Sequence, residues 1–458
     1  MSRQRGGGWG AGTLERPPLP MRGGLAPRPA AAPPPPDGAA PHPVDPGWGI
    51  AAVEWTPLYV FFLVYLFSVI TFAVPLGNVG MVLALAALPF QGAPLRFPPL
   101  LVGMCAFLLW AFATRDATPY AAFVSERLVD YGKLCLIALV AVNALRTRRQ
   151  TQFLIVFALV SFACFPARGA IINFLGGYTV FGRALWNHIY ANPNDLAALT
   201  LLQLAGAGAL LVSDRRGWVR LGSGVSVLVL NLLVLMTQSR GALIALVLLT
   251  ALALGAQRRR LRTLLFVVAG GGVVSLFAPS GVWERAAGLV HATDTATLRQ
   301  VDEEGSAEQR FLIWQVATGI ISEHPATGVG LGAYPLAHEE HATTGGFPRA
   351  AWGKRDTHST YLNVLAETGA VGLLIFLGML GAVMVGAERA RRRMRESDPA
   401  GAGRLWLLQA GLLAYLTAGV FGSFAHLSHL YLFLALVTAV ALEPAAGAAA
   451  GRRRRGRR

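Results

Sequence analysis

Residues 352–386 read WGKRDTHSTYLNVLAETGAVGLLIFLGMLGAVMVG, and the change of character inside this stretch decides the fold. Up to His358 the chain is polar. From Tyr361 to Gly386 it is an apolar run long enough to cross a bilayer as one α-helix, with Glu367 one or two turns inside it. Read backwards from His358, the polar stretch extends over about 80 residues to Pro279, where another apolar run ends. The other connections between apolar runs are short. The 279–358 segment is therefore the place with room for a site built outside the bilayer.

The rest of the chain agrees with that division. Its 458 residues are 54% hydrophobic and 14% charged, with a mean hydropathy of +0.50, which marks a polytopic membrane protein rather than a string of soluble domains. The predicted fold is all-α, with about twelve transmembrane helices and one large extracytoplasmic loop containing short helices. The candidate spans lie near 57–76, 78–94, 98–114, 131–146, 151–167, 196–213, 218–237, 240–255, 262–278, 361–386, 404–422 and 426–442. Five regions follow: a Pro-, Gly- and Arg-rich cytoplasmic tail over 1–50 predicted to be disordered, membrane helices over 57–278, the loop over 279–358, membrane helices over 361–442, and a basic cytoplasmic tail over 443–458. The N-terminal tail lacks the pattern of a signal peptide. Cys105, Cys135 and Cys164 fall in or beside apolar runs and give neither a disulfide framework nor zinc spacing.

A net charge of +16 raises nucleic acid as a partner, but most of the positive charges lie in short loops, where they act as topology signals. Placing both termini in the cytoplasm puts Arg146, Arg148 and Arg149, then Arg215, Arg216 and Arg220, then Arg258–Arg260 with Arg262, and finally Arg389–Arg395 with Arg404, on the inside. The same topology puts the 167–195 loop, Arg240 and the 279–358 loop together on the outer face. No nucleic-acid partner is expected.

Three outer-face residues carry the chemistry. Arg240 stands between two apolar runs with almost no loop, where a cation either snorkels to the interface or is held at headgroup depth for an anion. Arg310 opens a helix whose start is legible as a Ser306-x-x-Gln309 capping box. Phe311, Trp314, Thr318 and Ile321 then recur on one face, and His324-Pro325 ends the pattern. A guanidinium near the helix N-terminus is either a solvated charge or a bidentate phosphate ligand. His358, just before the membrane run, is either a structural imidazole or a group that takes a proton near neutral pH. His338 and His341, among Glu339 and Glu340, are expected in a solvated, mobile stretch. A zinc site from His338, His341 and His358 matches no metal spacing. The outer loops hold no Asp-x-Asp pair, so a diphosphate would be neutralised by arginine.

In these residues the chain resembles the O-antigen ligase family, which includes O-antigen ligases and related polysaccharide polymerases. The pattern His-[Asn/Ser/Gln]-x9-Gly-x-x-Gly is met by His358, Ser359, Gly369 and Gly372. Arg310-x3-Trp314, Pro325 and Gly328/Gly330/Gly332 resemble a second progression, Ser239-Arg240-Gly241 a third element, and Asn192-Pro193-Asn194 a fourth; together they cover about 185–385. The resemblance implies a metal-independent, cofactor-free glycosyltransferase of the bacterial inner membrane. Its donor would be a polyprenyl-diphosphate-linked glycan and its acceptor lipid A core or a growing glycan, with membrane lipids around both. Arg240 and Arg310 would bind the diphosphate and His358 would be catalytic. Lys354 and Arg355 are second-rank phosphate ligands, and Trp314 is a further candidate. Trp283, Tyr334, Phe347 and Trp352 are candidates for stacking on sugars, and Glu367 is expected to pair with an arginine. The competing readings are an envelope polysaccharide or lipid transporter, which would place its charges at mid-membrane, and a structural subunit of an envelope machine.

Overall fold

A computed structural model describes residues 52–255 and 306–443. The tails, the predicted span at 262–278 with its flanking Arg258–Arg260 and Arg262, and Trp283 lie outside the described residues. The described residues form helices and turns, apart from a single bridge between Val180 and Arg183.

The helices are α1 (Pro57–Thr71), α2 (Gly77–Ala87), α3 (Pro99–Ala113), α4 (Ala121–Ala144), α5 (Arg148–Phe162), α6 (Arg168–Leu175), α7 (Pro193–Ser213), α8 (Gly217–Thr237), α9 (Arg240–Gly255), α10 (Ser306–Glu323), α11 (Tyr334–Thr344), α12 (Thr360–Ser397), α13 (Pro399–Ala418) and α14 (Ser428–Ala441). Their starts follow local rules. Thr147 and Gln150 form a reciprocal capping box at α5, and Asn192 caps α7 with Pro193 at its first position. Pro166 cannot supply a helical N–H, and α5 passes into α6 through a π-helical turn over Ala163–Ala167.

A helix falls on each predicted apolar run within the described residues. Among them, five are long and apolar enough to cross a membrane: 148–175, 193–213, 217–237, 360–397 and 399–421. Five others are apolar but have only 10–17 residues, so these helices do not by themselves establish twelve crossings. The run predicted at 131–146 is the second half of α4, whose first turns carry the exposed ion pairs of Asp130 with Arg127 and Lys133. α7 and α14 are buried nearly all round and form the centre of the bundle. Gly411 of α13 meets Ala205 of α7, a close approach that small residues permit. Outward apolar side chains such as Leu109, Val247 and Leu374 are about 70% exposed, as a lipid-facing surface requires.

The bundle has two chemically different ends. At one end Arg148 pairs with Asp398, Arg216 with Asp214 and Arg404 with Glu443. Ala52 and Glu443, the first and last described residues, both lie at this end, held by Arg149 and Thr151. Arg404, read from sequence as a loop charge, is buried; it is a structural cation that joins α13 to the end of α14. The starts of α7, α9 and α12 gather at the opposite end.

Candidate active site

The site end is built from one crossing. Within α12, Gly369 breaks the helix with φ 67° and ψ −175°, so that two helical pieces meet at a kink. The Pro325–Gly330 turn crosses at this break. Val329 N–H donates to Ala366 O (2.9 Å), Gly330 N–H to Glu367 O (2.8 Å) and Ala370 N–H to Pro325 O (2.8 Å), while Trp110 Nε1–H donates to Thr368 O (2.8 Å). Carbonyls released by the break are thus satisfied from outside the helix. A β-carbon at Gly369 would lie 2.1 Å from Ala326 O, and one at Gly328 (φ 67°) would lie 2.4 Å from the Glu367 backbone. The two glycine motifs, some forty residues apart in the sequence, are the two faces of one backbone contact.

α10 rests beside this crossing. Its buried face is Ile313, Val316, Ala317 and Ile320, packed with Val329, Tyr334 and Ala337. The expected stripe was Phe311, Trp314, Thr318 and Ile321; Phe311 and Thr318 instead face outward, and the buried face that packs with Val329 is made of branched and small residues. Trp314, half-buried, donates its Nε1–H to Thr357 O at 2.8 Å, anchoring the chain next to His358. One helical turn before Trp314, Arg310 lies within electrostatic reach of His358.

His358 holds a left-handed backbone (φ 50°), uncommon for a residue with a side chain. Thr357 fixes it from both sides, donating Oγ1–H to Ser359 O (2.9 Å) and accepting Ser359 N–H (3.2 Å). Burial lowers the imidazole below its ordinary range, and Arg310 and Arg355 act in the same direction against Asp356. The ring is therefore neutral at neutral pH, the form that accepts a proton. Asp356 accepts from Ser423 Oγ (3.0 Å) and Thr357 N–H (2.8 Å). Asp356 is open to solvent, yet it sits in a recess deep enough that burial raises its carboxyl above the usual range.

Glu367, 3% exposed, has a partner other than the expected arginine. Its Oε1 accepts from Asn363 Nδ2 (3.1 Å) and its Oε2 meets His426 Nε2 (3.0 Å). A carboxylate four residues after Asn363 can be recognised on one helix; a histidine 59 residues on cannot. Arg240 begins α9 after Gln238 (φ 49°), and Gly241 packs on Phe421. The next residues of that segment reach the His358 loop, since Thr360 Oγ1–H donates to Gly422 O (2.7 Å) and Ser423 bonds Asp356. Arg183, which sequence reasoning did not single out, donates to Thr237 O (2.8 Å) and Asn194 Oδ1 (2.7 Å), tying the end of α8 to the start of α7.

His358, Arg310, Arg355 and Trp314 are thus brought together, and Arg240 joins the same end of the bundle through Phe421. Arg355 Nε–H donates to Trp352 O (3.3 Å), and Lys354 is exposed on the same loop. His338 is not solvated: it is fully buried on α11, its Nδ1 3.1 Å from Gly353 O. Tyr334 is also buried, its hydroxyl donating to Ile313 O (3.3 Å), so it offers no face to a sugar. Trp352 remains 39% exposed. No group of three or more His, Cys, Asp or Glu among the described residues is placed to hold a metal ion. The signal for Asp356 was its position two residues before His358; His426 was hidden inside a run read as apolar.

Fold and site together define a helical membrane protein whose ionisable cluster sits at one end of the bundle. Residues 224–377, about a third of the chain, match the O-antigen ligase family, so this stretch is similar to that family. The match includes Arg240, Arg310, Trp314, His358, Gly369 and Gly372 and leaves out Asn192–Asn194 and His426. No curated protein matches the chain.

Proposed function

We propose that this protein is a glycosyltransferase that moves a glycan from a polyprenyl diphosphate to an acceptor hydroxyl at the outer face of the bacterial inner membrane, without a metal ion. The acceptor is lipid A core or the end of a growing glycan. The observation that carries the proposal is the Trp314–Thr357 hydrogen bond, which seats Arg310 beside a histidine that its surroundings keep neutral.

In this reading the acceptor oxygen bonds to the anomeric carbon while its proton passes to His358. The bond from that carbon to the diphosphate oxygen breaks, and its electron pair leaves with the diphosphate. Arg240 and Arg310 stabilise the growing negative charge, a role for positioned cations. Lys354 and Arg355 support the same charge from the loop.

The test is transfer by the purified full-length chain from the polyprenyl-diphosphate-linked glycan extracted from a strain deleted for it, with lipid A core and the same glycan as alternative acceptors. His358→Ala should leave a protein of normal abundance that binds donor and transfers it at least about 100-fold more slowly. Near-normal transfer by that variant removes His358 from the mechanism, and loss of transfer on adding chelator removes the metal-free chemistry.

A further inference from the structure

The site contains a second histidine held by a buried carboxylate. Glu367 is almost entirely enclosed and has both oxygens engaged, Oε1 by Asn363 and Oε2 by His426 Nε2 at 3.0 Å. The ring of His426 is gripped at Nε2, while its side chain stays 40% exposed and so is open to a partner. Its backbone is fixed as well. Phe424 N–H donates to Thr360 Oγ1 (2.9 Å), and Ala425 O accepts from Tyr431 (2.7 Å). The segment that presents His426 also carries Ser423, bonded to Asp356, and Asp356 is within electrostatic reach of both histidines. A buried acid that orients an imidazole with one open edge is more than a packing contact needs.

We propose that His426, oriented by Glu367, is the site's second functional histidine: it donates a charge-assisted hydrogen bond from Nδ1 to the departing diphosphate while His358 takes the acceptor's proton. The inference rests on the transferase reading given above. The step balances: the carbon–acceptor bond forms, the carbon–diphosphate bond breaks, the electron pair goes to the diphosphate, the hydroxyl proton goes to His358, and His426 keeps its own. The surroundings of the two rings agree with this division. The groups that face His426 are Glu367 from α12, Asp356 from the preceding loop and Arg127 from α4. Burial works against its charge, but the two carboxylates outweigh burial and Arg127 and raise it above the ordinary imidazole range. His358, facing Arg310 and Arg355 as well as Asp356, is lowered. Two like groups pushed apart in this way are how a site holds an acceptor and a donor of hydrogen at one pH.

The sign is definite. Transfer should fall in acid as His358 becomes protonated, and fall in alkali as His426 loses its proton, giving a bell that brackets about pH 6.5. The experiment is the pH dependence of kcat/KM for the full-length chain with the extracted lipid-linked donor. His426→Gln should transfer about tenfold or more slowly at neutral pH and lose the alkaline limb. Glu367→Gln should keep that limb but move it down by about one pH unit or more. An alkaline limb that neither variant moves overturns the proposal, as does a wild-type profile with no alkaline limb up to about pH 9, a result that needs no variant to fold. Wild-type protein that transfers nothing would instead overturn the transferase reading. Transfer that depends on His358 and ignores His426 would overturn only the inference.

Discussion

Trp314→Phe isolates the contact on which the site geometry depends. The phenyl ring keeps an aromatic group against α10's surroundings but removes the indole N–H that now donates to Thr357 O at 2.8 Å. Thr357 is fully buried, so its carbonyl loses a partner with no water to replace it. A neutral hydrogen bond contributes roughly 0.5–1.5 kcal/mol net, and an orphaned buried acceptor costs about 1–3 kcal/mol. That free energy falls on the backbone one residue before His358, whose left-handed conformation is held by its neighbours rather than by its own preference. If it is expressed as a shift of the His358 loop away from its working position, 1–3 kcal/mol corresponds to a loss of about 5- to 150-fold in transfer. The assay is single-turnover transfer by purified protein, alongside donor binding and thermal unfolding in detergent. The reasoning expects transfer to fall in that range, with donor binding retained. A Trp314→Phe protein with wild-type transfer would show that the bond does not position His358, and a loss matched entirely by reduced abundance would show that it acts only in folding.

Two further predictions test the charges and the orientation. Arg310→Lys keeps the charge but loses the planar fork, so transfer should drop about 10- to 150-fold at normal expression; full activity would make Arg310 a solvated charge. In a chain with Cys105, Cys135 and Cys164 replaced, Ala350→Cys on the site loop should react with a membrane-impermeant thiol reagent in whole cells and Ser397→Cys at the arginine-rich end should not. The reverse pattern would place the site in the cytoplasm.

The sequence showed the helices because apolar runs of this length have few alternatives in a membrane, and it showed α10 because its capping box and closing His324-Pro325 are local signals. It misjudged what depends on partners distant in the chain. α10's face was out of phase, since the aromatic residues Phe311 and Trp314 looked like its buried stripe, whereas Ile313, Val316 and Ile320 pack under the turn and Trp314 serves as a hydrogen-bond donor. His338, beside Glu339 and Glu340, has the composition of a solvated helix, and only the fold turns it inward onto Gly353 O. Glu367 was expected to seek an arginine because arginine is the commoner partner; its histidine lies across a whole helical hairpin. Arg404 was counted with the loop arginines beside it, yet it is enclosed against Glu443 and Thr151.

The break at Gly369 explains why residues so far apart can form one site. Were α12 an unbroken helix, His358, Asn363 and Glu367 would move with a 38-residue element whose position is set by its packing in the bundle. Broken, residues 360–368 become a short helix with its own supports: Ser359 at its start, the 325–330 turn and Trp110 at its end, and the 422–424 segment along its side. Each support is a hydrogen bond with a backbone atom on at least one side, which fixes position more narrowly than apolar packing does. The turn that closes the break also carries the chain from α10 to α11. The placement of Arg310 beside His358 and of Glu367 beside His426 therefore draws on this crossing as well as on the Trp314–Thr357 bond, and at the crossing Gly369 lets Ala326 O approach to a distance that no side chain allows. For the transferase proposed above this coupling would be useful, because the groups assigned to the diphosphate and the group assigned to the acceptor would have to keep one spacing while substrates come and go beside them.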